Sequence, residues 1–321
     1  MEQPLPGYGK RDLRKAMAVN AAAGITAEAE AMAREVVLMV KETAFEWQAV
    51  RNAHAITRDE EALLSRMAKV TEARYAAGEA AQTDVIKAYM ELTLIRQKQI
   101  EWEGRDKTLK ARLAQLMGRD AGTMPAQIEA SMPDGAAPDP APRIKEALGA
   151  RAEIRAARLT VERSELQRRL MARESEPDFK VGLEYRSIER GEDMVMFMVG
   201  VDLPLWRSKN RAALREAGMM AAASEADLDS LERQVILDVQ SACYKIETAR
   251  RTLDLYRKEL KPQADVRLHS SEAAYRAGKT DFNDWLESER FCLNVRTMAA
   301  MAEAEVGTGW ARLERATGGV L

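Results

Sequence analysis

The apolar positions of this chain recur at helical spacing over stretches far longer than an ordinary globular helix, interrupted by few stop signals. From Asp12 to Arg74 the pattern reads as one helix, broken only by Gly24, which a long helix tolerates at about 1 kcal/mol. Its span is about 95 Å at the usual rise per residue. Tyr75-Ala-Ala-Gly78 supplies a stop, and Thr83 or Asp84 is placed to cap a second helix that runs to Met117-Gly118. The two make a long helical hairpin. A third helix is expected from Arg143 to Glu174, ending before Pro177. The period then drops to two. Val181, Leu183 and Tyr185 alternate with Lys180, Glu184 and Arg186, so Asp178 to Ser187 and Met194 to Leu203 read as strands joined across Ile188 to Asp193. The helical pattern returns from Ser208 to Ala274, with a kink expected at Pro262. Tyr275-Arg-Ala-Gly278 stops it, and Asp281 to Thr317 forms the last helix.

The two stop signals are alike, and the likeness extends along the chain at an offset of 200 residues. Glu72-Ala73-x-Tyr75-x-Ala77-Gly78 matches Glu272-Ala273-x-Tyr275-x-Ala277-Gly278. Pro4-Leu5 matches Pro204-Leu205, Ala21-Ala22-Ala23 matches Ala221-Ala222-Ala223, Asp84 matches Asp284, and Ala111-Arg112-Leu113 matches Ala311-Arg312-Leu313. Such a register marks a tandem repeat. Residues 1–118 form a first repeat with its tip near 75–83. Residues 119–142, marked by a proline cluster from Pro125 to Pro142, form a linker. Residues 143–318 form a second repeat: a helix, a β-hairpin over 178–203, and a long hairpin with its tip near 275–281. By this logic the counterpart of 143–200 belongs before residue 1, and the chain by itself is expected not to close a barrel.

Composition narrows the function. Ala, Leu, Glu, Lys and Arg make up about half of the chain and aromatic residues only 5%, which suits thin helices packed side by side. Near balance between 49 basic and 51 acidic residues leaves no field for nucleic acid. The longest apolar run, Met194 to Val199, is far too short for a membrane-spanning helix. Met1-Glu2-Gln3-Pro4 lacks the start of a secretory signal. With Cys243 and Cys292 the only cysteines and His54 and His269 the only histidines, metal catalysis and nucleophilic triads have little to work with. The hairpin geometry sets the cysteines far apart, so they are expected to stay unpaired with each other. No cofactor is expected.

Two tandem units of strand, very long helix, Tyr-x-x-Gly tip and returning helix resemble the outer-membrane efflux channels of the TolC family. The residues that carry this are the two tips with Asp84 and Asp284, Leu116-Met-Gly118, and Ala147-Leu-Gly-Ala-Arg-Ala-Glu-Ile-Arg155. Pro177-Asp-Phe-Lys-Val-Gly182 and Val199-Gly-Val-Asp-Leu-Pro-Leu205 complete the ordered set. Pro6-Gly-Tyr-Gly-Lys-Arg11 is similar to a segment of members serving heavy-metal efflux. Ala152 departs from the family, where Pro is usual. The resemblance implies a homotrimer with a twelve-stranded outer-membrane barrel and a periplasmic tunnel of helical hairpins. It also implies passive conduction of what an inner-membrane pump expels through a periplasmic adaptor, with no enzymatic reaction.

The same resemblance nominates sites. Asp284 and Glu287, at i and i+3 on one helical face, stand where the family's tunnel narrows, and a threefold axis would make of them an acidic ring. Their plain alternative is a solvated acidic first turn favoured by the helix dipole, with Asp281 a simple N-cap. Tyr75 with Gly78 and Tyr275 with Gly278 mark adaptor-contact tips, although each glycine also serves as a helix stop. Met194, Met196 and Met198 alternate along one strand face; a thioether row suits Cu(I), but apolar filling is the commoner use of methionine. Which face of that strand meets lipid stays open. The competing reading is a soluble coiled-coil scaffold that packs its hairpins with partner proteins, which explains the composition but not the strand pair or the repeat.

Overall fold

The computed structural model describes residues 2–125, 135–186 and 194–319. The order is β1 (Glu2–Leu5), α1 (Lys10–Ala76), α2 (Gln82–Leu116), a 3-10 turn (Ala121–Thr123), α3 (Pro140–Ala150) and α4 (Ala152–Arg173). Then come β2 (Asp178–Arg186), β3 (Met194–Asp202), α5 (Arg207–Leu255), a π turn (Tyr256–Leu260), α6 (Lys261–Arg276) and α7 (Phe282–Thr317). The architecture is mainly helical, as the sequence pattern predicts, with α1 alone 67 residues long. Ser187 and the connection over 188–193 fall outside the described residues, as do 126–134 within the proline-rich linker.

The stop signals work as expected. Gly78, Gly118, Gly278 and Gly318 all adopt positive φ, between 63° and 76°. At the first three the backbone closes in the same way: Glu79 N donates to Arg74 O, Arg119 N to Ala114 O and Lys279 N to Ala274 O, each at 2.8 or 2.9 Å. This six-to-one bond satisfies carbonyls that the helix end leaves free.

Four local expectations need correction. The helix expected over Arg143 to Glu174 starts earlier, at Pro140, where a missing N–H costs nothing, and it is broken at Arg151, whose ψ of 129° is extended. Ala152 opens α4 directly after this extended residue. The cap of α2 is Ala81 rather than Thr83 or Asp84, and it has no side-chain bond. The helix expected from Ser208 to Ala274 is interrupted just before Pro262 by a π turn, where Lys261 N donates to Tyr256 O. Finally, the Pro4-Leu5 segment is itself a strand, β1, antiparallel to β2.

Two compact units emerge, each from two stretches of chain: Met1–Ala33 with Lys145–Leu237, and Arg34–Ile144 with Asp238–Leu321. In the first, a three-stranded sheet of order β1-β2-β3 is tied to the start of α1 by Lys10, whose side chain is buried. Lys10 Nζ donates to Asp178 Oδ1 at 2.9 Å and to Glu176 O at 3.0 Å, and the Gly7 N–H donates to the same Asp178 oxygen. A buried ammonium so fully bonded offsets much of its desolvation cost.

In the second unit the core runs along α7. At one end Phe282, Trp285, Leu286 and Cys292 pack with Leu64, Met67, Ile95 and Tyr275. Farther along, Ala302 and Val306 meet Ala249 and Leu253. Cys243 and Cys292 are both buried free thiols, as expected. Two glycines inside α7 let neighbours approach closely: a Cβ on Gly307 would overlap the Phe45 ring, and one on Gly309 would lie 2.9 Å from Ile246 Cγ1. Gly24, by contrast, has nothing within 4 Å of where a Cβ would sit.

Two alanine substitutions therefore move stability in opposite directions. Gly307→Ala should lose about 1–3 kcal/mol to overpacking, more than the helix-propensity gain offsets. Gly24→Ala should gain about 0.4–1 kcal/mol. Urea unfolding of the two variants beside the parent checks both signs.

Candidate functional site

The four helix ends at the tips of the hairpins meet in the second unit. α1 stops at Ala76 and α6 at Arg276, and α2 and α7 set out again within a few residues. Arg74 joins the two tips: its guanidinium lies 4.7 Å from the centre of the Tyr275 ring, and its Nη1 donates to the Tyr275 carbonyl. Lys87 Nζ donates to Asn283 Oδ1 at 2.8 Å, linking the second turn of α2 to the first of α7.

The two tip tyrosines occupy opposite environments. Tyr75 is 46% exposed, whereas Tyr275 is 2% exposed. The Tyr275 hydroxyl donates to Thr71 Oγ1 at 2.9 Å, and its ring meets Phe282 edge-on at 5.7 Å between centroids. The cause is written in the one residue at which the tip motifs differ inward of the tyrosine. Arg74 covers the Tyr275 ring, but its equivalent, Ala274, carries only a methyl group. Gly78 and Gly278 both hold left-handed conformations at the surface.

Asp284 and Glu287 lie on the exposed side of α7, opposite the buried face of Phe282, Trp285 and Glu289. Asp281 is the N-cap, and its carboxylate accepts from the Asp284 N–H at 2.9 Å. Thr280 donates its hydroxyl to Asp284 Oδ2. Glu287 has a distant cation, Arg267 Nη2 at 3.6 Å, and its side chain is 75% exposed. Arg267, Thr280 and Arg74 are the neighbours that spacing alone did not nominate. Arg74 was detectable as a mismatch between otherwise equal motifs, while Arg267 carries no sequence signal.

The sheet resolves the strand faces. Phe179 pairs with Val201, Val181 with Val199, Leu183 with Phe197 and Tyr185 with Val195, so one face of β2 and β3 is wholly apolar, and all eight side chains are exposed. The other face sets Met194 opposite Arg186, Met196 opposite Glu184 and Gly200 opposite Lys180. The methionine row thus shares its side with charged residues. Among the described residues no His, Cys, Asp or Glu group is arranged to hold a metal ion, and no helix is long and apolar enough to cross a membrane.

Comparison with known proteins places these features. The sequence model for outer membrane efflux proteins matches residues 1–119 and 143–319. Among solved structures, the outer-membrane channel OprN superimposes with a TM-score of 0.90 at 18% identity, covering 99% of this chain and 74% of that one. VceC, an outer membrane protein of Vibrio cholerae, gives 0.88 at 18% identity, with 99% and 78% covered. CusC, whose structures describe transmembrane channel formation, gives 0.87 at 15% identity, with 99% and 76% covered. The search of curated proteins returns no match. The family's members are non-enzymatic transport proteins. With the family's sequence pattern spanning both repeats and its fold covering nearly every residue, the chain belongs to the outer membrane efflux protein family.

Proposed function

We propose that the chain is the outer-membrane channel of a three-component efflux system, passively conducting what an inner-membrane pump expels and a periplasmic adaptor passes on. The observation that carries this reading is the two-faced sheet. A strand pair with four apolar cross-strand pairs on one side and Lys180, Glu184, Arg186 and the methionines on the other has the alternation that a membrane barrel requires, lipid outside and water within. In a homotrimer the outer edges of β1 and β3 must meet further strands for a barrel to close, because an open edge is not tolerated in lipid. OprN, VceC and CusC are alike in similarity to this chain, so no cargo is singled out by likeness.

In this reading Asp284 and Glu287 converge about the threefold axis to narrow the tunnel. Their exposure and common face support it. The tips receive the adaptor's helical ends: Tyr75 with its exposed ring beside Gly78, and Gly278 beside a buried Tyr275 that serves as internal support rather than as contact surface.

Two experiments follow. In planar bilayers, trimeric channels carrying Asp284→Asn with Glu287→Gln should lose cation preference and block by multivalent cations, with the larger share due to Asp284 because Arg267 already attends Glu287. Unchanged selectivity in a double variant that still assembles would assign both residues to solvated surface. For the sheet, Val199→Arg should reduce the yield of membrane-inserted trimer at a cost of about 2–4 kcal/mol near the bilayer midplane. Met198→Arg should leave insertion intact and alter conductance instead. The reverse outcome would turn the sheet inside out.

A further inference from the structure

Five residues beyond Asp284 on α7, Glu289 is fully buried, at 0% exposure. Facing it from α1 is Glu60, 1% exposed. Neither carboxylate oxygen of Glu289 nor Oε1 of Glu60 receives a hydrogen bond from any described residue. Two carboxylates cannot bond to each other, but a carboxyl and a carboxylate can. The cations nearby are already engaged. Arg290 on α7 is held bidentate by Glu91 of α2, with Nε at 3.0 Å from Oε1 and Nη2 on Oε2. Arg296 on α7 pairs with Asp265 of α6 at 2.7 Å, and the Cys292 thiol leans on the same Asp265 oxygen at 3.4 Å. The charged and titratable groups around the pair are thus Glu91, Asp265, Arg290, Arg296 and Cys292, and their two cations are matched by two other carboxylates.

We propose that Glu60 and Glu289 share one proton and form a proton-set brace between α1 and α7: with the proton in place an O–H···O bond joins the helices, and its loss sets two unpaired buried anions against each other. The inference goes beyond channel function and does not depend on it, because every group it uses lies in one compact unit and the two glutamates are buried there.

Burial first, then the facing Glu60 and the more distant Glu91, push Glu289 up to about 10, with Arg290 offsetting only part. The sign of the pH effect follows. An unfolded glutamate loses its proton near 4.5, whereas folded Glu289 keeps it to about 10. Folding therefore takes up a proton across that window, and the brace's contribution is complete below about 4.5 and declines as pH rises toward 10. The surrounding thiol does not interfere, since Cys292 is itself held neutral, pushed up to about 11 by burial first of all.

Glu289→Gln keeps the shape and supplies a permanent N–H donor to Glu60, so it replaces the proton. Thermal midpoints of the parent and this variant, measured on the whole chain from pH 4 to 9, should nearly coincide at pH 4 and diverge by several degrees as pH rises, with the variant higher. Glu60→Gln should diverge from the parent in the same direction but less, since it removes the facing carboxylate and leaves Glu289 buried. Infrared spectra at pH 8 should contain the carbonyl stretch of a protonated carboxyl in the parent, absent from Glu289→Gln. Parallel midpoint curves in both variants, or a parent spectrum without that band, would overturn the shared proton.

Discussion

A helix of 67 residues is held in place by what lies alongside it, because hydrogen bonds along its own axis leave it marginal in water. In the second compact unit that neighbour is α7. It buries Phe282, Trp285 and Cys292 near the tips and Gly307, Ala311 and Leu313 toward its end. With few aromatic residues to spend, the chain gains contact by approaching closely instead: Gly307 admits the Phe45 ring and Gly309 admits Ile246. Ion pairs such as Arg312 with Glu42 and Arg315 with Glu35 then run along the flank. Being partly open to solvent, each adds little energy. Their part is to fix the register in which the small residues face one another.

Close packing along α7 also decides which polar groups carry consequences. At the tips it seats Tyr275 beneath Arg74, so the two halves of the repeat, equal in motif, are unequal in surroundings: one tyrosine is buried and the other exposed. A turn and a half farther on, it encloses Glu289 with Glu60 and leaves Asp284 and Glu287 on the wet side of the same helix. Acidic residues a few positions apart therefore live in different dielectric surroundings. In the core, burial disfavours the charged form of a carboxyl group.

Much of this was legible in the residues, and for physical reasons. Helix stops depend on a glycine at positive φ and strands on period two, both local properties, so the tips and the β-hairpin could be read directly. The break at Arg151 could not, since it is set by a buried arginine paired with Glu153 and by the burial of Ala147 and Ala152 around it. β1 was legible only as a repeat mark, because four residues are too few to show a period and the strand exists by pairing with β2. Glu60 and Glu289 look like ordinary surface charges in sequence; only the way α1 and α7 pack reveals that water is excluded there. The tip asymmetry lay between these cases, encoded in Arg74 against Ala274 but meaningful only once Tyr275 was placed.

The sheet inverts the rule that the helices obey. Along α7 the large apolar side chains point inward, while on β2 and β3 Phe179, Val181, Leu183, Phe197 and Val199 point outward together. In water a face of that kind is a site of aggregation. In hydrocarbon it is the only face that a strand can present, and the charged side must then line an aqueous space. The chain therefore carries patterns for two solvents, switching where period 3.6 gives way to period 2. That switch sits at Asp178, the residue whose carboxylate takes the Gly7 amide and the buried Lys10 ammonium. A fixed polar anchor at the boundary lets the strand register be set from the helical side, so that a slip of one residue, which would turn every apolar side chain into the lumen, is opposed before the sheet meets lipid.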